Sequence, residues 1–326
     1  MRDGFGRTID YLRISVIDKC NLRCNYCMPV EGFEWIPRAE LLTYEEISAI
    51  VREMVGMGLR RVRLTGGEPL IRKDLPVLVR LLREVDGLEE ISLSTNGILL
   101  PRFANELRLA GVDRVNISLD TLKRDRFETI ARRPVRVFDE IMAGLDAAER
   151  AGFVPIKINT VLLRGLNDDE VARFVELTRS RPWHVRFIEM MPVGENLHLA
   201  DRFIGADEVL ERLGTLDELL PDAGPRGNGP ARYFRLPGAV GSVGVITPLS
   251  HNYCDSCNRV RLTADGRLRT CLFGTHEVDL KASLRSTGSI AAAVERALRE
   301  KPERHMLVNG SDSGSGELGA LSQIGG

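Results

Sequence analysis

The stretch Cys20-Asn21-Leu22-Arg23-Cys24-Asn25-Tyr26-Cys27 decides the reading of the whole chain. Its thiols follow a C-x3-C-x2-C spacing, so each short loop returns a sulfur to the same point and the three can wrap one small metal centre. Three is the informative number. A structural zinc site is normally closed by four ligands, and a four-iron cluster takes four thiolates. A three-thiol set therefore leaves one corner for a group that is not protein. The other readings are a zinc knuckle completed by a distant His, or three unrelated core thiols. Cys is often buried, but rarely clustered like this.

Residues 7–17, rich in β-branched side chains, read as a first strand that delivers this loop at its C-terminal end. Thr43-Tyr44-Glu45-Glu46 is a capping box opening a helix that runs through Met57. Strands follow at 62–64, 91–94, 115–119, 156–163 and 183–189, separated by helical stretches at 75–84, 101–110, through Ala151, and at 169–178. Gly111 and Gly152 stop two of the helices. Six alternating strand–helix units imply a parallel sheet with right-handed crossovers, too few for a closed eight-stranded barrel. Ligands on such sheets gather at the C-terminal ends of the strands.

The alternation fades after about Ala206. Residues 221–230 are Gly/Pro-rich and read as a loop, 232–236 and 243–247 as short strands, and 260–262 with 267–270 as a hairpin turning at Asp265-Gly266. A helix is expected over 290–299 and a flexible Gly/Ser stretch over 309–316.

The chain has 326 residues, 43% of them hydrophobic, enough for one large core or two. A net charge of −1 gives no global case for nucleic acid or membrane binding. No apolar run is long enough for a membrane span, and the N-terminus lacks the apolar core of a signal peptide. Six Cys in two groups of three suit two metal centres better than disulfides, which points to the cytoplasm.

The second group is Cys254-x2-Cys257-x13-Cys271. Spacing alone leaves open a zinc site completed by His251 or His276 and a second open cluster. Two cations, Arg259 and Arg261, immediately follow the second thiol and favour a substrate site. No G-x-x-x-x-G-K-[ST] occurs, so a nucleotide here would be a substrate held by side chains. The G-x-G-x-x-G at 314–319 lies in a Ser/Gly-rich tail without a preceding strand and reads as a chance match.

The C-x3-C-x2-C loop with Tyr26 before its last Cys resembles the signature of the radical S-adenosylmethionine superfamily. DKCNLRCNYCMP, TGGEPLIR, the second Cys group and the terminal Gly-Gly together resemble one branch of it, the GTP 3′,8-cyclase family of molybdenum cofactor biosynthesis, over essentially the whole chain. The resemblance implies an incomplete (β/α)6 triosephosphate-isomerase-like barrel over 1–205, a cluster-bearing C-terminal extension over 206–308 and a tail over 309–326. It implies two [4Fe–4S] clusters, on Cys20, Cys24 and Cys27 and on Cys254, Cys257 and Cys271. S-adenosylmethionine would be contacted by Tyr26, Gly67, Ser118 and Met191. GTP would be contacted by Arg13, Arg63, Ser94, Lys157, Arg259, Val260 and Arg261, with Arg186 a further candidate; Arg forks and a Lys point charge suit a triphosphate.

Ser94 stands where the family often has Thr, and the hydroxyl is kept. Arg259, Arg261, Gly325 and Gly326 are the expected catalytic positions, the tail folding back into the barrel. A flavodoxin- or ferredoxin-type electron donor and a downstream cyclic pyranopterin monophosphate synthase are the implied partners, with oligomeric state left open, a homodimer included. Another radical enzyme with extra C-terminal clusters, such as a peptide modifier or a sulfatase-maturing enzyme, is the alternative. Those relatives commonly carry more Cys there. A non-enzymatic zinc module is the third reading, and the alternating barrel pattern argues against it.

Overall fold

The computed structural model describes residues 1–29, 31–225, 227, 229–305 and 307. Gly325, Gly326, the 309–316 stretch and the 314–319 motif lie outside the described residues.

Six strands and the helices between them follow the expected alternation: β1 Tyr11–Ser15, α1 Tyr44–Gly56, β2 Arg61–Thr65, α2 Leu75–Arg83, β3 Glu90–Thr95, α3 Leu100–Ala110, β4 Arg114–Ser118, α4 Arg124–Ala131, α5 Arg136–Arg150, β5 Ile156–Leu162, α6 Val171–Ser180 and β6 Trp183–Glu189. The capping box forms, Thr43 Oγ1 accepting from Glu46 N at 3.1 Å and Glu46 Oε2 from Thr43 N at 2.8 Å. Helical sequence before Ala151 breaks into α4 and α5 because Pro134 lacks an N–H and disfavours helical backbone at Arg133. The break has a use. The carbonyls of Ala131 and Ile130, freed at the end of α4, accept from Arg23 N and Asn25 N of the cysteine loop at 3.0 and 2.9 Å.

The C-terminal region is more regular than the sequence suggests. It contains α7 Ala206–Gly214, β7 Leu220–Asp222, β8 Arg232–Arg235, β9 Ser242–Ile246, β10 Arg259–Leu262, β11 Arg267–Arg269, β12 Glu277–Asp279, α8 Leu280–Thr287 and α9 Ala291–Arg299. β7 occupies the start of the expected 221–230 loop. All twelve strands join one open sheet in the order β12-β11-β10-β1-β2-β3-β4-β5-β6-β9-β8-β7. β10 pairs parallel with β1 and β9 parallel with β6, so the C-terminal region lengthens the six-stranded sheet at both edges.

Side-chain alternation then separates two environments. Leu12, Ile14, Val62, Leu64, Leu93, Ile117, Ile158, Val185, Phe187, Val260 and Leu262 point outward into the main apolar core. The alternate positions turn inward, and there the residues are polar: Arg13 stands beside Arg63 on one side and Arg261 on the other, and Asn116 lies between Ser94 and Lys157. Among the described residues no helix is long and apolar enough to cross a membrane.

Candidate active site

One cavity is lined by all six cysteines. Cys20, Cys24 and Cys27 follow the C-terminal end of β1, where the sheet rule expects ligands. The second triad does not sit there. Cys254 and Cys257 precede β10, which runs parallel to β1, and Cys271 follows the antiparallel β11 back to the same end. The triads therefore occupy opposite ends of the strands, with the polar interior between them.

Around the first triad the glycines have a specific task. A Cβ on Gly66 would lie 2.2 Å from Ile17 O, and one on Gly67 2.1 Å from Lys19 O. The close approach is thus to the backbone leading into the cysteine loop. Gly67 N and Glu68 N donate to Ile17 O and Lys19 O at 2.7 and 2.8 Å. Glu68 is buried and accepts from Leu70 N, Thr95 Oγ1 and Asn96 N at 3.1, 2.7 and 2.7 Å; burial outweighs these bonds and raises its carboxyl to about 7. Asn96 Nδ2 in turn donates to Asn21 Oδ1 at 2.8 Å. Burial, then Glu68, pushes the Cys20 thiol up to about 11, and burial with Asp120 raises Cys24 well above the ordinary value. Tyr26, Gly67, Ser118 and Met191 all line the cavity near this triad.

Two thiols of the second triad have the opposite setting, while burial raises the third, Cys271. Burial raises the Cys257 thiol, but Lys301 and Arg259 outweigh it and hold it below the usual value. Cys254 is held down in the same way, by His305 against burial. His251 is turned to Asp207 at 2.8 Å and His276 to Glu300 at 3.0 Å, and neither lines the cavity. The imidazole beside the triad is His305, which the spacing argument did not single out.

Between the triads, Arg13, Arg63, Ser94, Arg186, Arg259 and Arg261 line the cavity. Among the described residues, Arg13 Nε, Arg186 Nε and Nη2, Arg259 Nε and the Tyr11 hydroxyl are buried without a hydrogen-bond partner. Burial, with Arg13, Arg186 and Arg259 opposing the help of Tyr11, lowers Arg63 to about 9. Lys157 lies behind the lining rather than in it; burial and then Arg186, Arg114 and Arg63 lower its amine to about 6. The Val260 side chain packs in the apolar core, so only its backbone faces the interior strand neighbours. Sequence reasoning passed over Tyr11, Asp120, Asn159 and His305, all of them lining residues. Tyr11 and Asn159 were legible, since each lies two residues from a predicted site residue on the same strand face.

The donor set fits clusters better than single ions. Among the described residues no three His, Cys, Asp or Glu side chains converge on one metal ion, whereas a polynuclear cluster takes its thiolates from further apart. Each triad supplies three thiols to the cavity wall, one fewer than the four that a four-iron cluster takes from an all-cysteine site.

Residues 14–178 match the Radical SAM superfamily model and residues 183–307 the Molybdenum Cofactor Synthesis C model. The chain is 47% identical to the GTP 3′,8-cyclase of Pelotomaculum thermopropionicum, 47% to that of Moorella thermoacetica and 45% to that of Heliobacterium modesticaldum, each over the full length of both chains. Its fold resembles that of Streptococcus suis SuiB bound to precursor peptide SuiA, with a TM-score of 0.62 at 14% identity, covering 93% of this chain and 73% of that one.

Proposed function

The chain belongs to the GTP 3′,8-cyclase family of radical S-adenosylmethionine enzymes, and from that membership we propose how its residues carry the reaction. It is an enzyme that cyclises GTP to (8S)-3′,8-cyclo-7,8-dihydroguanosine 5′-triphosphate, the first step of molybdopterin biosynthesis, using two [4Fe–4S] clusters and S-adenosylmethionine. The observation that carries the reading is the pair of open thiol triads facing each other across one cavity walled by buried cations.

When bound, the first cluster and S-adenosylmethionine supply the one-electron chemistry that opens the reaction at the ribose. Cys20, Cys24 and Cys27 would hold that cluster, and Gly67, Ser118, Met191 and Tyr26 would contact S-adenosylmethionine. Cys254, Cys257 and Cys271 would hold the second cluster on the nucleotide side of the cavity. Arg13, Arg63, Arg186, Arg259 and Arg261 neutralise the triphosphate, and Ser94 and Lys157 complete its surroundings. Enclosure between the two ends keeps water from the reacting carbon.

The same reading divides the chain into a barrel over 1–205, a cluster-bearing extension over 206–308 and a tail over 309–326. Gly325 and Gly326 would bring the C-terminal carboxylate to the arginines, and deleting both should abolish cyclised product while iron content and GTP binding persist. Electrons would come from a flavodoxin- or ferredoxin-type protein in the cytoplasm, and a cyclic pyranopterin monophosphate synthase would take the product.

The deciding experiment is anaerobic incubation of reconstituted protein with dithionite, S-adenosylmethionine and each of GTP, ATP and CTP. 5′-Deoxyadenosine should form with GTP alone. Equal formation with all three nucleotides, or none with any, would overturn the assignment.

A further inference from the structure

Lys301, just after α9, is 3% exposed. Its ammonium has three donors, and all three are spent: on Thr270 O at 2.5 Å, Arg259 O at 3.3 Å and Cys257 Sγ at 3.6 Å. None of these acceptors is a carboxylate. A charge removed from water without a counter-ion is costly, and burial is tolerated where an anion completes it. The anion available at this position is the thiolate of the second triad.

The lysine is also held in place. Arg7 donates to Cys254 O at 2.8 Å, to Glu303 O at 2.6 Å and to Pro302 O at 2.7 Å, binding the 301–305 segment across the triad. His305 Nε2 is fixed on Pro248 O at 2.8 Å at the far end of that segment. The first triad is held differently, by arginines acting on its backbone: Arg23 donates to Cys20 O at 2.9 Å, Arg133 to Asn21 O at 2.6 Å and Arg132 to Met28 O at 3.2 Å. A neutral side chain, Asn96, donates to Cys20 Sγ at 3.9 Å, and the buried carboxyl of Glu68 and the half-buried one of Asp120 line the cavity beside this triad.

We propose that Lys301 sets the reduction potential of the second cluster: a fixed ammonium donating to a ligating thiolate favours the more negative, reduced state. N–H···S bonds and nearby charge are the means by which a protein tunes such a centre. A cluster on the second triad would then sit at a higher potential than it would without this lysine. Lys301 is a positioning residue here, acting through Cys257 and not on the nucleotide.

The proposal rests on the second triad holding a cluster, and metal analysis separates the two questions: zinc in place of iron at that triad would refute the cluster itself. Reconstituted full-length protein, Lys301→Met and Lys301→Arg are compared by iron content and by dithionite titration followed by electron paramagnetic resonance. The second-cluster signal is the one that persists when Cys20, Cys24 and Cys27 are changed to Ala. Lys301→Met should keep its iron and shift that midpoint to lower potential, leaving the first cluster's midpoint in place; Lys301→Arg should restore it. An unchanged second-cluster midpoint in Lys301→Met overturns the proposal. Should Lys301→Met lose iron, Lys301→Gln is titrated under the same criterion. Loss of the cluster from all three variants would make Lys301 a packing strut and overturn the proposal equally.

Discussion

The hydroxyl of Tyr26 donates to Asp120 Oδ2 at 2.7 Å, joining the first cysteine loop to the residues just beyond β4. Asp120 Oδ1 also accepts from Val161 N at 2.9 Å, and the Tyr26 carbonyl accepts from Asn196 Nδ2 at 2.7 Å. Tyr26 is therefore pinned at both its side chain and its backbone. Its ring anchors the loop to the sheet. Burial raises the Asp120 carboxyl to about 6 despite these two bonds.

Tyr26→Phe removes the donor and keeps the ring. A hydrogen bond to a charged group contributes about 1.5–3 kcal/mol, so the reconstituted protein should melt earlier. It should also bind S-adenosylmethionine more weakly at unchanged iron content, by at most about ten- to hundredfold if the whole of that bond is felt at the ligand. Unaltered melting and affinity would return the Tyr26–Asp120 contact to mere proximity.

Glu68 organises the 66–69 turn by accepting from three donors. Glu68→Ala strands those donors in a buried setting, at about 1–3 kcal/mol for each group left unpaired. First-cluster iron should be lost on gel filtration while second-cluster iron stays. Glu68→Gln keeps an acceptor oxygen and should retain more. Equal retention in the Ala and Gln variants would argue that the carboxylate has no organising part.

Arg259 and Arg261 turn into the cavity from alternate positions of β10. Replacing either with Ala should weaken GTP binding about ten- to hundredfold, from roughly 1.5–3 kcal/mol per charge-assisted bond. S-adenosylmethionine binding should hold. Unchanged GTP affinity in both variants would remove them from the substrate site.

Anaerobically reconstituted protein should approach about eight irons, two four-iron clusters. Changing Cys20, Cys24 and Cys27 to Ala should halve that number, as should changing Cys254, Cys257 and Cys271. Zinc released by the second triple variant, with iron unchanged, would contradict two clusters.

Much of this was legible from local chemistry. β-branched runs alternating with helical stretches gave the six strands, Thr43 and Gly111 gave helix ends, and the Cys spacings gave both triads. What the sequence hides is where distant segments return. β10 is four residues long and pairs with β1 across most of the chain, so nothing local announces that Cys257 lies at the opposite end from Cys24. Lys301 and His305 are equally silent, since one Lys and one His after a helix carry no spacing signal. The break between α4 and α5 was visible as Pro134, but its purpose, freeing carbonyls for the cysteine loop, exists only in three dimensions.

Lys157 gives a test by proton counting. Burial, then Arg186, Arg114 and Arg63, lower its amine to about 6 in the nucleotide-free protein. Near pH 8 it is mostly neutral. A triphosphate placed among these cations favours the ammonium and raises that value, so binding takes up a proton wherever the pH lies between the free and bound values. Affinity attributable to Lys157 is then fully present below about pH 6 and declines as pH rises through that window. At about pH 8 the nucleotide is fully ionised and contributes no proton of its own. Calorimetric titration with GTP in buffers of different ionisation enthalpy should show uptake approaching about one proton per GTP. Lys157→Met should lose that uptake and flatten the pH dependence. Identical uptake in the wild type and Lys157→Met would place the titrating group elsewhere and leave Lys157 outside the phosphate site.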